Sequence, residues 1–319
     1  MIQNYHIELQ DNLSNDLNLP LIEEGATQLP LAFAVVLQYW GEDIFSLEKN
    51  QNHNNPMYII DGIEIADKMH YSSYIYKSSL TDLKKRINQG VPPIVIFPGL
   101  YHLTQHLLLI SGYDDDEKRI SSYIPQPDTK GSIPETKFLS EWTQEDNIVI
   151  IVVPDDMKNL FSEANLNITK SYKLCFEAEK DFSNGNVETA IEKVIQSVNI
   201  DKNNAFAWSL LGSFNSEINN PECINCFKKA INLNSNYFLA FKGIGNYYLK
   251  IKDYHNAEKY YSQAININPN RYGPIYKNRA VSRLQLNENL KAKQDLKLYL
   301  EKTPDAYDKK QISAALDSL

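Results

Sequence analysis

"FLAFKGIGNYYLKIKDYHNAEKYYSQAININPNR", residues 238–271, decides how the C-terminal half of the chain is read. Two amphipathic stretches flank the polar turn KIKDYHNA, and Pro269 stops the second one. The same plan recurs around the turns SNGNVETA, EINNPEC and QLNENLKA. Small residues mark the register: Ala178, Gly212, Gly245 and Ala280 are spaced 34, 33 and 35. A second set, Ala190, Cys223, Ala257 and Ala292, and a bulky third, Val194, Phe227, Tyr261 and Leu296, are both spaced 33, 34 and 35. Pro269 and Pro304 end two of the units. A period of this length predicts helical hairpins stacked side by side, with small residues letting helices approach and large ones filling the gaps.

Within 238–271, Phe241, Ile244, Gly245, Tyr248, Ala257, Tyr261, Ala264 and Pro269 fall on eight signature positions, and Trp208, Leu211 and Gly212 open the unit before it. The pattern resembles the tetratricopeptide repeat. Four repeats are expected over 171–304, with the tail DAYDKKQISAALDSL as a capping helix. In such arrays the first helices line a groove that holds peptides. Counting along the repeats places Phe206, Ser209, Ser213, Lys242, Asn246, Lys277 and Val281 on that face. Lys242, Asn246 and Lys277 resemble part of a carboxylate clamp, since lysine pairs with a terminal carboxylate and asparagine fixes a peptide backbone. Val281 stands where a further basic residue belongs, and a generic peptide-contacting face is the alternative.

The N-terminal half has no such period. Strand-like runs lie at PPIVIF (92–97), HLLLISGY (106–113), RISSYI (119–124) and NIVIIVV (147–153), and helical pieces at 30–40 and 80–89. Ser79 and Asp82 cap the second helix and Gly90 ends it. Helices segregated from mostly antiparallel strands indicate an α+β domain. The expected division is 1–155, a linker at 156–170, and 171–319. Asp114-Asp115-Asp116-Glu117 lies between two strands and lacks the spaced ligands of a calcium loop, so it is expected to be a solvated hairpin turn.

Residues 26–41, ATQLPLAFAVVLQYWG, look like a nucleophile-bearing helix entered through a proline turn. Pro30, Ala34, Tyr39, Trp40 and Gly41, then LTDLKKRINQGVPPIVIF, then HLLLISGYDDDEKRI follow in an order that resembles the cysteine peptidases of bacteriocin leaders, over about 18–153. That resemblance implies a papain-like fold, and it places His106 at the general-base position. The remaining machinery is missing. Gln28 stands at the cysteine position and Leu29 replaces the following glycine. The oxyanion-hole glutamine falls on Ile22 or Glu23, and the histidine-orienting residue falls near Ile124 or Gln126. A thiol at a helix N-terminus beside an imidazole is activated as thiolate, whereas an amide is neither nucleophilic nor ionisable. A carboxylate at position 23 would repel a developing oxyanion.

The three cysteines, Cys175, Cys223 and Cys226, all lie in the repeats, so none can replace the missing thiol. Cys223 and Cys226 have CxxC spacing without a second ligand pair, and Cys223 occupies a packing position. His6, His53, His70 and His255 form no metal pattern, and neither a metal nor a cofactor is expected. Thr27 as a nucleophile would need an activating base. With 40 acidic against 32 basic residues and a net charge of −8, the chain lacks the footprint of a nucleic-acid binder. No signal peptide or membrane-spanning run is present in the sequence, which points to the cytoplasm. Oligomeric state is not legible. The expectation is a non-catalytic protein- or peptide-binding chain, a papain-like pseudopeptidase domain followed by an all-α repeat solenoid. The alternatives are a hydrolase or acyl transferase that uses His106 with another nucleophile, and an N-terminal domain that is purely structural.

Overall fold

A computed structural model describes residues 14–23, 27, 29–44, 58–99, 105–124, 130–161 and 163–319. The chain divides into two compact units. One comprises residues 1–96, 107–142 and 147–201, the other 97–106, 143–146 and 202–319.

An antiparallel sheet organises the N-terminal part. Its strands are β1 (Ser14–Asp16), β2 (Tyr71–Lys77), β3 (Pro93–Pro98), β4 (Gln105–Asp114), β5 (Arg119–Tyr123), β6 (Lys130–Pro134) and β7 (Ile148–Pro154). They run in the order β2-β7-β3-β4-β5-β6, with β1 added to β4. The run Ile148–Val153 is fully buried between β2 and β3, as expected of a continuous β-branched stretch in a sheet interior. The acidic run forms the turn between β4 and β5, where the Asp114 carboxylate accepts from the Asp116 and Glu117 amides at 2.9 and 2.8 Å.

Helix α1 (Leu31–Tyr39) is buried from Ala32 to Leu37, because it is apolar on every side. Tyr39 donates to the Gly90 carbonyl at 3.0 Å, and the Trp40 indole donates to the Val152 carbonyl at 3.0 Å. Helix α2 (Ile59–Lys68) crosses α1 closely, since a Cβ at Gly62 would stand 2.7 Å from the Phe33 ring. Helix α3 (Leu80–Asn88) starts at Ser79, whose hydroxyl accepts from the Asp82 amide at 3.2 Å, and α4 (Glu135–Trp142) leads into a 3-10 turn, Thr143–Glu145.

The expected linker at 156–170 is corrected by the structure. A 3-10 helix (Asp155–Leu160) follows β7, and α5 begins at Glu163 and continues to Ser183. Phe161 stacks on Tyr74 with centroids 3.9 Å apart, and the Thr169 hydroxyl accepts from the Ile75 amide at 2.9 Å. Lys173 and Lys180 of α5 pair with Asp67 and Asp61 of α2 at 2.8 and 2.5 Å. These contacts join the first hairpin, α5 and α6 (Val187–Ile200), to the sheet as one unit.

Three further hairpins follow: α7 (Ala205–Glu217) with α8 (Cys223–Leu233), α9 (Phe238–Lys250) with α10 (Tyr254–Ile267), and α11 (Pro274–Gln285) with α12 (Asn289–Lys302). The period is steric. A Cβ at Gly212 would meet the Phe227 ring at 2.8 Å, and one at Gly245 would meet the Tyr261 ring at 2.7 Å. Each first helix ends on a left-handed residue, Gly185, Asn219, Lys252 or Asn287, with φ of 85°, 59°, 64° and 61°. Helix α13 (Lys309–Ser318) packs Ile312 and Leu316 against Ala280, Ala292 and Leu296, closing the array.

Candidate functional site

Of the residues at peptidase-like positions, Gln28 and Gln126 lie outside the described residues. Glu23 is exposed, beside a buried Ile22 whose amide donates to the Tyr123 hydroxyl at 2.7 Å, and that hydroxyl donates to the Ile22 carbonyl at 3.1 Å. The Thr27 hydroxyl accepts from the Leu29 amide at 3.1 Å, a local turn contact. His106 is half-buried, edge-on to Phe97 with centroids 5.8 Å apart, and it donates to the Pro98 carbonyl. Burial holds its pKa below the ordinary histidine value, which keeps the imidazole neutral at pH 7. All three cysteines are buried and free. Cys223 sits in the apolar cluster with Phe227, Ala230 and Ile244, and burial pushes its thiol up to about 11. Such a thiol stays protonated at neutral pH.

The repeat-face residues divide. Phe206 and Ser209 are only 4% exposed each, which corrects their placement on an open groove. Helix α7 is buried over most of its circumference, so its periodicity does not distinguish a groove face from a packed one. Ser213 and Asn246 are exposed. Asn246 Oδ1 accepts from the Tyr261 hydroxyl at 2.9 Å and from the Asn278 amide at 3.4 Å. Lys277 is paired to Asp308 at 2.8 Å, so its charge is already answered within the chain. Lys242 is half-buried over the Tyr272 ring, 4.6 Å from its centroid. Burial and the neighbouring Arg271 push its pKa down to about 8.

Lys242 borders a cluster that periodicity did not reveal. Arg271 and Glu145 form an ion pair with both side chains fully buried, and the Gln105 amide donates to the other carboxylate oxygen. Arg271 also lies over the Phe238 ring, 4.5 Å from its centroid. Burial pushes Glu145 up to about 7, against the opposing pull of Arg271, Gln105 and Lys242.

The turns after the second helices complete this grip. Asn234 and Asn268, 34 residues apart, are repeat equivalents. Each closes its own turn, accepting from the Asn236 and Asn270 amides at 3.0 Å. The side-chain amide of Asn234 then donates to the Thr143 carbonyl at 2.7 Å, and that of Asn268 to Gln144 Oε1 at 3.2 Å. Successive repeats thus hold successive residues of a short segment. The spacing of Asn234 and Asn268 was visible in the sequence, but nothing there identified residues 143–145 as what they hold.

Residues 238–271 match the family model of the tetratricopeptide repeat. No curated protein matches the chain. Solved structures resemble its helical part. The MamA protein is 25% identical, with a TM-score of 0.39, over 47% of this chain and 79% of that one. PilF of Pseudomonas aeruginosa is 18% identical, with a TM-score of 0.44, over 47% of this chain and 68% of that one.

Proposed function

We propose that this chain is a non-catalytic protein-interaction scaffold, in which tetratricopeptide hairpins hold polypeptide segments and a degenerate, papain-like peptidase domain binds without cutting. The observation that carries it is the paired grip of Asn234 and Asn268 on Thr143 and Gln144. Every protein segment offers main-chain carbonyls and a glutamine adds a side-chain one, and equivalent repeat residues bind one of each.

The N-terminal reading is supported by chemistry. No thiol precedes Cys175, His106 is neutral with its donor spent on a carbonyl, and the nucleophile position is an amide. The cleft expected around Gln28, Glu23 and Gln126 would then serve recognition, in a cytoplasmic adaptor, cargo-recognition or regulatory role. Ser213, Lys242, Asn246 and Lys277 are the repeat residues assigned to a peptide partner.

Activity probes directed at thiols and hydroxyls, applied to the full chain, test this. The expected result is no labelling above that of the unfolded protein. Labelling that disappears in His106→Ala would replace the scaffold with an enzyme.

A further inference from the structure

Asn234 and Asn268 have a third equivalent, Thr303, 35 residues beyond Asn268. Among the described residues the Thr303 hydroxyl is buried and has no hydrogen-bond partner. Thr303 lines a recess of about 490 Å³ at the last hairpin. That volume lies within the range of ligand pockets, roughly 300–1,000 Å³. Its walls are aromatic and prolyl: Tyr272, Tyr299 and Tyr307 with Pro274 and Pro304. Tyr307 is 90% exposed, an aromatic side chain left in water at this recess.

The lysine of the recess is already paired, and Asp305, exposed, also lines it. Lys277 lies 2.8 Å from Asp308, which also accepts from the Tyr299 hydroxyl at 2.6 Å. The same ammonium is 5.1 and 5.4 Å from the Tyr299 and Tyr307 ring centroids. An anionic guest would meet Asp305 and compete with Asp308 for Lys277, whereas an uncharged one leaves the pair intact.

We propose that the recess docks an extended, proline-containing segment of a partner protein. Prolyl rings would lie against Tyr272 and Tyr307, with main-chain carbonyls accepting from Asn278 and Tyr307. A polyproline-type segment makes no internal hydrogen bonds, so its carbonyls are free, and its stiffness limits the entropy lost on docking. The proposal rests on the scaffold reading of the repeats and names the chemistry of their partner.

The test titrates the full chain with decamers of proline, glutamate and lysine, followed by calorimetry. The proline decamer is expected to bind, about tenfold more weakly to Tyr307→Ala and several-fold more weakly to Asn278→Ala. Tyr307 is exposed, so its loss should leave the circular dichroism and the unfolding midpoint unchanged. Absence of proline binding, preference for a charged decamer, or equal binding by Tyr307→Ala overturns the proposal. A protein partner that cross-links equally to the wild-type chain and to Tyr307→Ala would remove the recess while leaving the scaffold reading standing.

Discussion

Arg271 and Glu145 are ion-paired across 126 positions of sequence, and neither side chain is exposed to solvent. The pair closes the grip on residues 143–145, and its strength depends on both partners being present. Arg271→Ala leaves Glu145 buried beside only Gln105 and Lys242, which should cost about 3–5 kcal/mol in urea unfolding. Replacing both residues, as Arg271→Met with Glu145→Leu, should recover a large part of that loss, because the desolvation of both charges disappears. A double variant no more stable than Arg271→Ala would contradict this account.

Burial pushes both Glu145 and Glu179 up to about 7. Each carboxyl therefore keeps its proton in the folded state to a higher pH than in the unfolded chain. Their combined effect is a stability that is greatest below about pH 4.5, the unfolded carboxylate range, and declines as pH rises through 7. Glu258 and Asp308, held low by Arg283 and Lys277, act below this window. Lys242, pushed down to about 8, acts above it, restoring stability as pH climbs from 8 toward the unfolded lysine value. Urea midpoints at pH 5 and 7.5 should fall in the wild type, and Glu145→Gln and Glu179→Gln should each flatten the fall. A wild-type midpoint rising between those pH values would rule out this assignment.

The repeats were legible because steric repetition writes itself into residue size. Gly212 faces Phe227 and Gly245 faces Tyr261, and each pair recurs at the period. The strands β3, β4, β5 and β7 were legible as apolar runs. Strand β2, YSSYIYK, was not, since three tyrosines and two serines lack the aliphatic signal of a buried strand even though Tyr71, Tyr74 and Tyr76 are buried. The polar site was illegible for another reason. Glu145, Gln105 and Arg271 come together only through tertiary packing, and no local pattern relates their positions.

Gly245 lets α9 approach Tyr261 of the paired helix α10. Adding a methyl group places it 2.7 Å from the Tyr261 ring, closer than a carbon atom settles without displacement. Gly245→Val is expected to destabilise the protein by about 1–3 kcal/mol, although glycine is itself a poor helix former. Trimming the opposing ring, Gly245→Val with Tyr261→Leu, should relieve the clash, seen as a double-mutant coupling. Additive losses would show that the two residues do not press on one another.

Thr169 tests whether the first hairpin is part of the sheet unit. Strand β2 is at one end of the strand order, so among the described residues no strand satisfies the amides and carbonyls on its side away from β7. At Ile75 the Thr169 hydroxyl does both jobs, accepting from the amide at 2.9 Å and donating to the carbonyl at 3.3 Å. Thr169 is 5% exposed, so water cannot readily take its place. Thr169→Val keeps the shape and removes the oxygen, stranding one donor and one acceptor. The expected loss is about 1–3 kcal/mol, with the Ile75 amide exchanging hydrogen faster than in the wild type. Unchanged exchange at Ile75 would mean that the hydroxyl does not cap the edge strand in solution.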